Sequence, residues 1–482
     1  MKHSEESGIN FMDKRRTKIV ATIGPATDSE EMLEKLILSG INIARLNMSH
    51  ADAAAAKRIT ELIRKLSDKH NRRIGVLMDL QGPAIRTGEL PVSLNLKPGE
   101  KIGLTVRGET SEEIKSVDVN YDHLVDDIQV DDIVIVDNGM IHLKVLEKKK
   151  NQLVCEVLTE GVLSSRKHIN LPGVHIQLPP LTEKDLKDVA AGIDMGVDFF
   201  ALSFCREAND VKELRGIIED AGSKIKIVSK LEDQVGLSNL DEIIEASDGI
   251  MVARGDLGIE VPYEELPIIQ RRIVKHCRRV GKPVIVATHM LESMIEAPSP
   301  TRAEVTDVSN AVYEEADCIM LSGETSVGTY PEKCIEVFDT IARRTERSGG
   351  VGFVQDIKVE DEREILMKAG KQMADELQAK AIIVFTRTGI MARNAAWLRS
   401  ETPVYAFTDV PELLNQLTIF WGLDPHLISL SAATPELNIA AAQATLIQSG
   451  VVTTGDWIVI VTHLHIQGEY VETVQMRKID AT

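Results

Sequence analysis

Val197–Ser203 (VDFFALS), Ile225–Lys230 (IKIVSK) and Gly249–Arg254 (GIMVAR) are three short apolar runs, each closing on a polar residue. Amphipathic stretches of helical period separate them. A run of this length, rich in Val, Ile and Leu, is the pattern of a parallel strand buried on both faces. Outward along the chain the same unit recurs at Lys18–Gly24, Asn42–Asn47, Ile74–Leu80, Val284–Thr288 and Cys318–Ser322. Parallel strands need crossover helices, and eight such units is the number that closes a βα barrel. Asp28 with Glu31, and Thr182 with Asp185, have the spacing of capping boxes at two helix starts.

One interval breaks the rhythm. Between the third and fourth runs, from Pro83 to Pro179, the period shortens to two. Val92–Leu96, Ile133–Val136, Ile141–Val145 and Leu153–Val157 read as short strands separated by Asp, Asn, Gly and Lys turns. This predicts a small all-β domain inserted at the mouth of the barrel, with Thr182–Met195 as the helix that resumes it. Pro331–Ser348 reads as the last barrel helix, and Gly349–Gly352 (GGVG) as a linker. Beyond it, helices at Glu362–Gln378, Ala392–Leu398 and Leu437–Ser449 alternate with strands at Ala381–Thr386, Pro403–Thr408, Trp457–Thr462 and Glu472–Ile479. The expected class is α/β: a (β/α)8 barrel (residues 1–82 and 180–348), an inserted β lid domain (83–179) and a carboxyl-terminal α/β layer domain (349–482).

The bulk properties narrow the function classes. Of 482 residues, 43% are apolar and 27% charged, the balance of a globular chain. A net charge of −19 disfavours nucleic acid and anionic membranes as partners. No apolar run is long enough to span a bilayer, and Met1–Asn10 is too polar for a signal peptide. The five cysteines are scattered and form no C-x-x-C pair, so buried free thiols and a cytoplasmic setting are expected.

In βα barrels the chemistry sits at the carboxyl ends of the strands. Those ends are Arg45 to His50, Asp79, Ser203, Lys230 with Glu232, Arg254 to Asp256, Thr288 with His289, and Ser322 to Glu324. Unpaired charge gathered at one face is costly without a use. Glu232 and Asp256 are oxygen donors suited to Mg²⁺ or Mn²⁺. Lys230 is a compact cation two residues from Glu232, able to bear on developing charge. Arg45 and Arg86 offer forks for phosphate oxygens, and Arg254–Gly258 has the look of a turn opening a short helix. A phosphorylated or carboxylated substrate is indicated.

Six segments in order resemble the pyruvate kinase family: Thr17–Pro25 (TKIVATIGP), Ala44–His50 (ARLNMSH), Met251–Gly258 (MVARGDLG), Met290–Met294 (MLESM), Pro300–Val305 (PTRAEV) and Leu321–Thr325 (LSGET). The resemblance covers essentially the whole barrel and is looser in the carboxyl-terminal domain. It implies transfer of the phosphoryl group of phosphoenolpyruvate to ADP, giving pyruvate and ATP, in a homotetramer. It further implies that Lys230 stabilises the transferring group and the enolate oxygen, and that Glu232 and Asp256 hold Mg²⁺. Arg45 would bind the phosphoryl group. Gly255, Asp256, Thr288 and Ser203 would bind substrate, with Thr288 near the route of enol protonation. Asn47, His50, Arg86 and Lys167 match nucleotide-contacting positions.

Asn47, Ser49, Asp79 and Leu80 match the positions of a monovalent-cation site. Ala84, however, stands where potassium-using members usually carry Glu and potassium-independent members Lys. Leu80–Gln81 follow the independent pattern. Asn138 replaces the second Asp of the usual lid turn, and His289 the usual Gln. Thr386–Met391 (TRTGIM) resembles a sugar-phosphate effector loop, with Met391 where a Ser or Thr is common. Thr462–Glu469 (THLHIQGE) lacks the usual glycine- and threonine-rich tail, so activation by fructose bisphosphate is not expected. The alternatives are a Mg²⁺-dependent lyase acting beside an enolate, which would need neither Lys167 nor a nucleotide lid, and a silent regulatory homologue, which would be expected to lose Lys230, a metal carboxylate or Thr288.

Overall fold

The computed structural model describes residues 15–109, 111, 113, 115–431, 434–466 and 469–480. The polar start read above, Met1–Asn10, and residues 467–468 of the tail lie outside them. Along the chain come β1 (Lys18–Ile23), β2 (Ile43–Asn47) and β3 (Gly75–Asp79). The insertion supplies β4 (Leu94–Leu96), β5 (Lys101–Val106), β6 (Ser116–Val119), β7 (Ile133–Val136), β8 (Ile141–Lys149), β9 (Gln152–Val157), β10 (Gly161–Leu163) and β11 (Ile169–Asn170). The barrel resumes with β12 (Phe199–Leu202), β13 (Lys226–Leu231), β14 (Gly249–Ala253), β15 (Val284–Ala287) and β16 (Cys318–Leu321). The last domain contains β17 (Ala381–Phe385), β18 (Val404–Thr408), β19 (Leu423–Leu427), β20 (Trp457–Ile466) and β21 (Glu469–Lys478).

The eight expected barrel strands all form, and they close in the order β1-β16-β15-β14-β13-β12-β3-β2. The order makes β3 and β12 neighbours across the whole insertion, so Asp79, Ser203 and Lys230 end three consecutive staves. By its contacts the chain divides into two compact units. One runs to Met78, with Met195–Phe200 and everything from Arg272 onward; the other is Asp79–Asp194 with Ala201–Arg271.

Within the second unit, β11-β7-β8-β9-β5-β6 form a six-stranded sheet and β10-β4 a two-stranded one. Ile102, Leu104, Val134, Val136, Leu143, Val145, Leu153 and Val157 supply their shared core, all buried. Four of these strands, β5, β6, β10 and β11, were not evident from alternation. The turn Asp137–Asn138 has φ of 58° and 53° at its two residues. Asn is tolerated in the left-handed region, so the Asn138 replacement suits this hairpin.

Within the first unit, the five-stranded sheet runs β19-β18-β17-β20-β21, with only β21 antiparallel. Its faces are covered by two clusters, one around Met367, Ala395 and Leu417 and the other around Ile439, Ala442 and Leu446. β19 and the helix Pro411–Gln416 were not expected. Pro425 inside β19 argues against a strand, but β19 is an edge, where a missing N–H costs no ladder bond.

The helix starts test the capping expectations. Thr182 and Asp185 do form a reciprocal pair, with Asp185 N to Thr182 Oγ1 at 3.1 Å and Thr182 N to Asp185 Oδ2 at 2.9 Å. The first helix is instead capped by Ser29, whose hydroxyl accepts from Met32 N. Arg58 holds both the carbonyl and the carboxylate of Asp28, at 3.0 and 2.7 Å, so that side chain is not available as a cap. All five cysteines are free and buried. Among the described residues, no helix is long and apolar enough to cross a membrane.

Candidate active site

Lys230 Nζ lies 3.0 Å from Glu232 Oε1 and 3.2 Å from Asp79 Oδ1, and donates to Ser203 Oγ at 2.7 Å. The Ser203 hydroxyl in turn donates to the Leu80 carbonyl at 2.7 Å. The neighbouring strand ends of β3, β12 and β13 place these groups. Glu232 is almost wholly buried, and its other oxygen accepts from Phe204 N at 2.7 Å. Phe204 has φ of 51°, and Gly82 has φ of 71°. A Cβ on Gly82 would come within 2.8 Å of Ser203 Cβ, so glycine is required there both by space and by backbone angle.

The cluster carries more negative than positive charge. Burial pushes the Glu232 carboxyl up to about 7; Lys230 opposes this, while Asp256 and Asp79 add to it. Removing carboxylates from water without full compensation is what raises such a pKa. The donor set therefore fits a hard divalent cation, which would restore the balance. Among the described residues no group of three or more His, Cys, Asp or Glu could hold a metal. Two carboxylates, with substrate oxygens and water completing the shell, match the way Mg²⁺ is usually held. Asp256 is half-buried on the helix Arg254–Glu260, which begins directly after β14.

The second unit also brings Arg86 and Lys167 onto facing backbone segments. Thr87 N donates to the Lys167 carbonyl at 2.8 Å, and Arg86 pairs with His168 as an isolated bridge. Arg86 is exposed, while Lys167 Nζ pairs with Asp137 Oδ1 at 2.9 Å.

In the first unit, Arg45 near the end of β2 is buried and donates to Thr22 Oγ1 at 3.0 Å. Asn47 Oδ1 accepts from Ser49 N at 3.1 Å, in a turn that leaves Ser49 and His50 exposed. Thr288 and His289, just past β15, have φ of 68° and 53°. A β-branched residue in the left-handed region is strained by about 1–3 kcal/mol, and such strain concentrates at functional positions.

Several interactions carried no sequence signal. Asp79 was read as a strand-end residue and a monovalent-cation position, but its pairing with Lys230 was not evident. Phe204 holds Glu232 through its backbone, which no side-chain motif reveals. Glu324 is fully buried, accepting from Leu291 N and Ser322 N at 3.0 and 2.7 Å, and so acts as a brace for those loops.

A closed βα barrel with a buried lysine between carboxylates at its strand ends has the architecture of the βα-barrel enzymes, whose active sites lie at that face. Comparisons with known proteins give the particular family. The pyruvate kinase barrel domain model matches residues 14–335, and the pyruvate kinase alpha/beta domain model matches residues 363–475. The chain is 40% identical to plastidial pyruvate kinase 2 of Arabidopsis thaliana over 97% of its own length and 81% of that protein's. It is 39% identical to the pyruvate kinase of Staphylococcus aureus strain MRSA252, over 92% of this chain and 77% of the other. A crystal structure of a pyruvate kinase from Cryptosporidium parvum superposes with a TM-score of 0.92 at 33% identity, covering 97% of each chain. The chain belongs to the pyruvate kinase family.

Proposed function

We propose that the chain transfers the phosphoryl group of phosphoenolpyruvate to ADP, with Lys230, Thr288 and Arg45 as its catalytic residues. The observation that carries the site assignment is the position of Lys230 Nζ, 3.0 Å from Glu232 and 3.2 Å from Asp79 at the barrel's strand ends. The Lys230 ammonium stabilises charge on the transferring group and on the enolate oxygen. Arg45 holds the phosphoryl oxygens as a fork. The backbone N–H groups of Gly255 and Asp256, the Thr288 hydroxyl and Ser203 orient the substrate. Asn47, His50, Arg86 and Lys167 contact the nucleotide. Mg²⁺ or Mn²⁺, held by Glu232 and Asp256, would neutralise substrate oxygens. Such chemistry needs positioning and charge more than covalent steps. The four segments 1–82, 83–179, 180–348 and 349–482 are its working divisions, the second a lid that excludes water. ADP-dependent release of pyruvate tests the activity, and its absence in the presence of Mg²⁺ would refute it. The lyase and silent-homologue alternatives are not favoured by the family match.

The raised Glu232 pKa has a consequence for metal binding. Below about 7 the protonated form dominates, and a proton must leave before a cation can be held. Apparent Mg²⁺ affinity should therefore rise by about fivefold from pH 6 to pH 7, by about tenfold in all by pH 8, and flatten beyond it. Metal titrations of activity at fixed pH check this; a flat profile would remove Glu232 from the metal site.

Potassium is a second point. Asp79 is engaged with Lys230, and the Leu80 carbonyl with Ser203. Ala84 offers neither carboxylate nor ammonium. Activity without sodium or potassium should be within about threefold of that with potassium, since the Lys230 ammonium and the Ser203 hydroxyl already engage these atoms. Large activation by potassium would overturn this.

Arg387 in the loop resembling an effector site is held by both oxygens of Asp409, at 2.7–3.0 Å, and by the Leu430 carbonyl. With its cation so engaged, fructose bisphosphate should leave the half-saturating phosphoenolpyruvate concentration unchanged, which a titration at saturating ADP reads directly. A homotetramer in the cytoplasm completes the proposal, and sedimentation at working concentration checks the assembly.

A further inference from the structure

Asn170 ends β11, the two-residue edge strand of the six-stranded sheet, where Asn170 is paired with Ile135 of β7. Its side-chain amide donates to Glu260 Oε1 at 2.9 Å, and both residues are almost wholly buried. Glu260 is the last residue of the seven-residue helix that begins at Arg254 and carries Gly255 and Asp256. The Glu260 backbone carbonyl is in turn held by the Gln234 amide, so the end of this helix is tied by main chain and side chain alike. All these groups belong to one compact unit. A short helix has few hydrogen bonds of its own, so its direction depends on what holds its ends.

We propose that Asn170 and Glu260 are positioning residues: their buried hydrogen bond fixes the Asp256-bearing helix to the inserted β domain and so sets the direction of the Asp256 carboxylate. This rests on Asp256 being a metal ligand. Outer partners that orient a ligand typically change metal affinity by about 10–100-fold when removed. Burial raises the Glu260 carboxyl to about 7, while Asn170 pulls it down. The charges that face it are Asp233 and Asp256, and neither is a cation. The Asn170 donor is therefore a principal stabiliser of this carboxylate. Burial lowers the pKa of His168, just before β11, while Asp256 and Asn170 oppose that shift.

The test is Mn²⁺ binding to the full chain, followed by electron paramagnetic resonance of free Mn²⁺, alongside kcat and KM. Asn170→Ala and Glu260→Ala should each weaken Mn²⁺ binding by about tenfold, and the double variant should be no weaker than either, because one bond is lost in all three. Glu260→Gln keeps an acceptor oxygen and should stay within about threefold of the native chain, as expected when a hydrogen bond rather than charge is at work. Asn170→Asp opposes two carboxylates and should weaken binding; combining it with Glu260→Gln restores a donor and an acceptor and should restore affinity. These last two variants are isosteric, so they decide the matter even where an alanine variant fails to fold. Native-like Mn²⁺ binding in the alanine variants, an additive double variant, or failure of the paired exchange to rescue overturns the clamp. Absence of Mn²⁺ binding by the native chain instead overturns the metal assignment on which it rests.

Discussion

Lys230→Met should lower kcat for pyruvate formation by about 10³-fold, a loss of about 4 kcal/mol of transition-state stabilisation. Methionine retains length and most of the apolar stem but removes the cation that lies 3.0 Å from Glu232 and 3.2 Å from Asp79. On the proposed mechanism, charge that develops on the transferring phosphoryl group and the enolate oxygen would then meet no ammonium. The Ser203 hydroxyl also loses its donor partner. The fold should persist, because Glu232 already has a carboxyl raised to about 7 and can take a proton when its partner goes. Circular dichroism and a coupled assay separate the two outcomes. Turnover within tenfold of the native chain, with an intact fold, would end the assignment of Lys230 to the chemistry.

The second large effect concerns stability. Arg278 is 2% exposed; its Nη2 donates to the Trp397 carbonyl at 2.6 Å, and the Trp397 indole returns a bond to the Arg278 carbonyl at 2.5 Å. Its Nε lies 3.5 Å from Glu315 Oε2, which is itself buried. Arg399 donates to the Ala316 carbonyl at 3.1 Å and approaches Asp317 at 3.4 Å. Two arginines thus share one acidic ridge between a barrel helix and the helix Ile390–Trp397. Arg278→Met leaves the Glu315 carboxylate with less compensation, and breaking such a buried pair costs about 3–5 kcal/mol. The apparent Tm should fall by about 4 °C. A fall of less than about 2 °C would show that the ridge is balanced without Arg278, because an uncompensated buried charge is expensive.

Local chemistry alone was enough for the barrel. Eight apolar runs with polar ends, spaced by helical stretches, have few other ways to bury both strand faces, and the observed strands depart from the expected bounds by only a residue or two. The same logic exposed Lys230, Glu232, Asp256, Arg45 and Thr288, because a charge at the end of an apolar strand is visible without knowing any neighbour. Where the reading failed, a longer-range force decided. The expected cap at Asp28 gave way to Ser29 because Arg58, thirty residues on, holds Asp28. β19 formed despite Pro425 because it lies at a sheet edge.

Lys230 and Glu232 could be named from the sequence as neighbours on one strand end, since only Leu231 separates them along the chain. That Asp79 is their third partner could not be. It depends on β3 lying next to β12 across the inserted domain, and strand order is a property of barrel closure rather than of local period. The Asn170–Glu260 bond has the same origin, joining residues ninety apart. Sequence by itself determined the barrel, its polar strand ends and the residue types available for chemistry, because burial and periodicity act locally. Tertiary structure alone decided which charges meet, which are buried and how far their pKa values move, because those depend on distances that no local pattern encodes.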